Sequence, residues 1–142
     1  LMEMQYHTAL DLKQRWLQNG IVINNCNFIH GGIQEFKSAL DAYDTVLMSR
    51  VLYHLRSDID DVMVAITQSN VSNIVLVGCP ERARRFREGG SHGDELGKYA
   101  KFATKEGMEE VLGKYGFLIT KSTPDDTPLD PIVVGQRSSS AK

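Results

Sequence analysis

Little in this sequence commits it to a membrane, an export route or a polyanion. No apolar run approaches the roughly 18 residues a spanning helix needs. The opening residues, LMEMQYH, lack a basic segment followed by an apolar block, so no signal peptide is expected. The formal net charge is -2, so no one-signed field gathers nucleic acid or acidic lipid. There is also no broad basic face with interleaved aromatics, which makes nucleic acid a poor partner. The two cysteines, Cys26 and Cys79, are far apart, and each falls within or at the end of an apolar run. Buried free thiols in a reducing, cytoplasmic compartment are therefore expected. Cys26 and His30 form one C-x3-H pair with no second pair, and Asp58, Asp60 and Asp61 read as helix-start acids. No metal site is expected from either group. Internal repeats are absent. Glycines are present, but Gly31-Gly32 and Gly89-Gly90 lack the strand-to-helix context of a phosphate-binding loop.

What remains is the composition of a soluble globular domain. The chain has 142 residues, 42% hydrophobic and 24% charged. That length suits one domain with a real core. The most informative stretch is YDTVLMSRVLYHL, Tyr43 to Leu55. Its apolar run Val46-Leu47-Met48 predicts a strand buried on both faces, as in a parallel sheet. Ser49 and Arg50 end the run, and a helical turn is expected to start at once. In open α/β sheets ligands bind beyond the carboxyl ends of the strands, which puts Ser49 and Arg50 at the mouth. Tyr53 and His54 follow about one turn later.

The rest of the chain alternates. Gln5 to Asn19 reads as an amphipathic helix stopped at Gly20. Ile21 to Ile29 reads as a strand weakened by Asn24, Asn25 and Asn27, and Ile33 to Leu40 as a short helix. Ser57 is a helix-cap candidate ahead of the stripe Ile59, Val62, Met63 and Ile66. Asn73 to Cys79 is a second buried strand, followed by a short basic helix, Glu81 to Glu88, and a glycine-rich loop. Thr104 caps a helix with the stripe Met108, Val111, Leu112 and Tyr115, closed by Gly116. Phe117 to Ile119 and Ile132 to Val134 are late strands with no helix between them, so they are expected to pair antiparallel. Alternation up to Phe117 means βαβ units and a mainly parallel sheet. Residues 137–142 are small and polar and are expected to fray.

This order resembles the later two-thirds of a class I S-adenosylmethionine-dependent methyltransferase, over about residues 3 to 136. YDTVLMSRVLYHL is similar to the family's fourth strand and its exit, INNCNFIHGGIQEF to the third, and NIVLVGCP to the fifth. FATKEGMEEVLGKYGFLI resembles the helix leading through Gly-Phe into the sixth strand, and PIVVGQ the antiparallel seventh. The resemblance implies a mainly parallel Rossmann-like α/β fold with an antiparallel last strand. The cofactor would be S-adenosyl-L-methionine and the acceptor a small molecule or peptide group. It also implies roles. Glu3 would take the ribose hydroxyls, because a carboxylate accepts two hydrogen bonds. The Gly32 amide and the Ile33 side chain would meet adenine. Ser49 and Arg50 would line the methionine end of the cofactor. Tyr53 and His54 would face the reaction centre, with His54 as the base. Arg84 and Arg85, in the cluster after the fifth strand, would bind an anionic substrate group.

Two departures from the family pattern matter. The glycine-rich loop after the family's first strand has no counterpart, and Gly32 stands where the family often has an acid. The first strands are accordingly expected to lie outside this chain, supplied by a missing N-terminal segment or a partner polypeptide. A non-catalytic, partner-binding methyltransferase-like subunit is the rival reading. A nucleotide-binding dehydrogenase is a further one, and it too would need a phosphate-binding glycine loop.

Overall fold

The computed structural model describes residues 3–20 (side chains from residue 7), 30–81, 84, 97–125 and 129–138. The chain divides into two compact units, Leu1–Ala39 and Leu40–Lys142. The first unit contains helices α1 (Glu3–Gln18) and α2 (Ile33–Ala39). Gly20 follows α1 at φ 79, the left-handed stop expected there. The side of α1 carrying Leu10, Trp16 and Leu17 is largely exposed. The strand expected at Ile21 to Ile29 lies outside the described residues.

The second unit is built on β1 (Thr45–Ser49), β2 (Asn73–Val77), β3 (Phe117–Ser122) and β4 (Ile132–Arg137). Their order in the sheet is β1-β2-β4-β3. β1 and β2 pair in parallel, and β4 pairs antiparallel with both β2 and β3. It follows that β1, β2 and β3 run one way and β4 runs the other. The expected antiparallel pairing of the last two strands is present. Mainly parallel pairing is not: one of these three contacts is parallel. The reason is that β4 inserts between β2 and β3 instead of extending an edge. Its short connection from β3 permits only antiparallel return.

Helices α3 (Ile59–Gln68) and α4 (Lys105–Lys114) cover one face of this sheet. The core joins Val46, Met48, Ile74, Leu76 and Val133 to Ile59, Val62, Met63 and Ile66 of α3 and Met108, Val111 and Leu112 of α4. The α3 stripe is the one expected from spacing; of the α4 stripe Met108, Val111 and Leu112 are buried, while Tyr115 is half-buried at the C-cap. β4 ties the layers together. The Arg137 guanidinium donates 2.8 Å bonds to the Thr67 and Ile66 carbonyls at the end of α3. The strand thus runs one residue into the stretch expected to fray.

Burial of β1 on both faces is not observed. Leu47 is 65% exposed, on the same face of the sheet as exposed Leu118 and Ile132. Strand residues alternate between faces, and the described helices of the second unit cover only the side that holds Val46 and Met48.

The helix ends follow local chemistry. The Thr104 hydroxyl accepts from the Gly107 amide, so the expected cap of α4 is present, and Gly116 closes the end at φ 83. The α3 cap position is Asp58, without a side-chain bond, and not Ser57. Ser57 falls inside a 3-10 segment, Leu52–Asp58, which is kinked at Arg56. At the start of α3, Asp60 accepts from the Tyr115 hydroxyl and the Lys114 ammonium. These bonds, Tyr115's first, hold the Asp60 carboxyl below its ordinary pKa. A depressed carboxyl adds stability above its unfolded pKa and loses it as pH falls through the folded value. Urea unfolding of wild type and Asp60→Asn should therefore differ at pH 6 and converge below about pH 4. Equal differences at both pH values would show that the ionised carboxylate is not the cause.

Candidate functional site

Parallel pairing of β1 and β2 brings their carboxyl ends to one edge of the sheet. The exit of β3 and the entry of β4 lie at the same edge, because Ser122 pairs with Val133 and Val77 with Ile132. Backbone bonds between segments bind this edge together. The Arg50 amide donates to the Val77 carbonyl at 2.8 Å, and the Gly78 amide to the Pro131 carbonyl at 3.0 Å. The Cys79 amide donates to the Ala103 carbonyl at 2.9 Å. That last bond brings in a 3-10 turn, Ala100–Ala103, which spacing did not reveal.

Arg50 is the most unusual residue at this edge. Its φ is 56, a left-handed conformation for a side chain with a Cβ. Such a residue costs on the order of 1–3 kcal/mol, and its surroundings must hold it there. Here the Val77 bond holds its backbone. Its side chain donates from Nε to Asp130 Oδ2 at 3.0 Å, and Nη2 reaches the same oxygen. The Asp130 bond and charge push the Arg50 pKa above its ordinary value, so the guanidinium stays cationic. Asp130 was hidden from a sequence reading. It sits 80 residues away, in a polar turn that gave no sign of chemistry. The only signal was an acid immediately before Pro131 and the last strand.

Of the predicted site residues, Ser49 and Arg50 occupy the lip of this edge, where strand position put them. Tyr53 turns inward. It is 2% exposed and packs with Ala100 and Ala103, with Phe102 beside them. His54 is exposed, its ring 4.4 Å from the Tyr53 ring. Tyr53 is therefore part of the packing around this turn, and His54 lies against it on the solvent side. Arg84 is exposed and donates to Glu81, from Nη2 at 2.7 Å and Nε at 3.3 Å. An incoming anion would compete with that carboxylate. Arg85 lies outside the described residues. Cys79 is a free thiol, half-buried rather than fully buried.

Glu3, Gly32 and Ile33 belong to the first unit. Glu3 is the first residue of α1, and its side chain lies outside the description. Ile33 opens α2 and is half-buried. The Gly32 amide donates to Glu35 Oε2 at 2.8 Å, a local bond that closes the entry to α2. The Glu35 carboxyl is held below its ordinary pKa by its own backbone amide first and by the Gly32 amide second. Adenine recognition by the Gly32 amide would require an exchange with this carboxylate.

Among the described residues, no three His, Cys, Asp or Glu side chains gather to hold a metal ion. No described helix is long and apolar enough to cross a membrane. In comparisons with family models, with curated proteins and with solved structures, nothing matches this chain.

Proposed function

We propose that the chain forms the C-terminal part of a Rossmann-like, S-adenosylmethionine-dependent methyltransferase domain acting on a small-molecule or peptide acceptor. One observation carries the reading. Three strands run the same way, the last runs against them, and Ser49 and Arg50 stand where the carboxyl ends meet. A guanidinium at that place suits the carboxylate at the methionine end of the cofactor. The bound cofactor supplies an electrophilic methyl group. The chain's own work is to hold and orient, since an in-line displacement gains most from positioning. His54, exposed beside Tyr53, is assigned the role of taking a proton from the acceptor. Arg84 and Arg85 are assigned to an anionic part of that acceptor.

The remaining wall of the crevice is assigned to strands that pair along β1. The Arg50 amide and the Asp44 carbonyl both point to β2. By strand alternation, the N–H and C=O groups of Thr45, Leu47 and Ser49 point away from it. No described strand meets them. This edge has no lysine, proline or bulge, the devices that protect a solvent-facing edge. An N-terminal segment or a partner chain fits there. The same open edge supports the second reading, a non-catalytic subunit whose role is to pair with a partner.

Titration calorimetry with S-adenosylmethionine and S-adenosylhomocysteine, on protein carrying the strands that pair with β1, separates the two. Saturable one-to-one binding is the expected result. Absence of heat up to about 1 mM, the upper end of ordinary enzyme substrate affinities, would leave the subunit reading in its place.

A further inference from the structure

The Arg50–Asp130 pair is only half satisfied. Arg50 uses Nε and Nη2, both on the single oxygen Asp130 Oδ2. Among the described residues nothing bonds Arg50 Nη1 or Asp130 Oδ1. A spare cationic donor and a spare anionic acceptor therefore remain on one ion pair at the carboxyl edge of the sheet. The side chains are 59% and 28% exposed, so both ends are open to a ligand.

A lone carboxylate or phosphate approaching Arg50 is repelled by Asp130, and a lone ammonium at Asp130 is repelled by Arg50. A group carrying both charges one carbon apart meets neither penalty. Discrimination of this kind comes from the repulsive partner as much as from the attractive one. Because the pair is already formed, little ordering is needed on binding.

We propose that Arg50 and Asp130 together read an α-ammonium carboxylate, the amino-acid end of a ligand. The carboxylate takes the Arg50 Nη1 side and the ammonium takes Asp130 Oδ1. The inference rests on the methyltransferase reading for one of two sources, the methionine end of the cofactor. An amino-acid acceptor is the other source. Partial exposure leaves the interaction screened, so its strength falls as salt rises.

The test follows the Arg50 Nε–Hε resonance by 15N NMR as three probes are added separately. S-adenosylhomocysteine and L-methionine carry the amino-acid end, and 5′-methylthioadenosine lacks it. Calorimetry on the same samples supplies affinities. The first two probes are expected to move the resonance and the third to leave it in place. Asp130→Asn is expected to lower the affinity for S-adenosylhomocysteine relative to methylthioadenosine by about tenfold, the loss of one charge-assisted bond. Arg50→Lys keeps the charge and loses the planar fork. It should lower the same ratio and serves if the Asn variant does not fold.

An equal response to methylthioadenosine, or an unchanged ratio in both variants, overturns the proposal. S-adenosylhomocysteine binding with an unmoved Arg50 resonance overturns it and leaves the methyltransferase reading intact. L-methionine binding without S-adenosylhomocysteine binding supports it, assigns the pair to an acceptor, and removes the cofactor reading. Silence from all three probes removes both.

Discussion

Gly78→Ala is expected to destabilise the second unit by about 3 kcal/mol or more, at the upper end of what overpacking costs. Gly78 follows β2 directly, at the edge that carries Arg50. A Cβ built on it would lie far inside van der Waals contact with the Ala103 carbonyl oxygen, and 3.0 Å from Met108 Cε. The methionine end can swing away, but the carbonyl cannot. It accepts the Cys79 amide at 2.9 Å and belongs to the 3-10 turn that packs on Tyr53. Relief therefore requires the turn to move, which exposes Tyr53 and breaks the Cys79 bond. Chemical denaturation should show a lower midpoint with an unchanged slope. Amide exchange should show lost protection at Cys79 before the centre of β2. A variant as stable as wild type would mean that the turn is not packed against Gly78.

Leu112→Ala comes next, at about 3 kcal/mol within the range of 2–5 for such truncations. Leu112 is fully buried in α4 and fills the space over Gly135 of β4. A Cβ at Gly135 would meet Leu112 Cδ1 at 3.0 Å and Phe117 Cβ at 3.1 Å. Gly135→Ala alone should thus cost on the order of 1–3 kcal/mol. In the Leu112→Ala background that cost should shrink, because the added methyl enters the vacated space. Contacting residues couple in this way, and distant ones add. Strict additivity in denaturant melts of the four proteins would show that α4 does not sit on β4 through this pair.

The methyltransferase proposal asks for a crevice with two walls and assigns one of them to the second unit. The preference proposed for the Arg50–Asp130 pair can be measured before the other wall is identified. Tyr53 is buried against Ala100 and Ala103, with the His54 ring 4.4 Å away.

Much of the second unit was legible from local pattern. The Ile59, Val62, Met63, Ile66 stripe, the Thr104 cap, the Gly116 stop and the Phe117 and Ile132 strands all come from short-range rules that neighbours did not override. Ser57 is the exception. Its cap chemistry was sound, but the 3-10 segment begun at Leu52 runs through it, and α3 starts one residue beyond Asp58.

By itself, then, the sequence determined most of the described helices and strands of the second unit, the apolar stripe of α3, and that Ser49 and Arg50 end a strand. These are properties of spacing and side-chain chemistry within one turn or one strand. Tertiary structure alone decided that β4 lies between β2 and β3, that Leu47 faces outward, and that Asp130 meets Arg50. Each depends on which distant segments become neighbours. That choice rests on the total apolar surface and backbone bonding of the sheet, and no local stretch of residues records it.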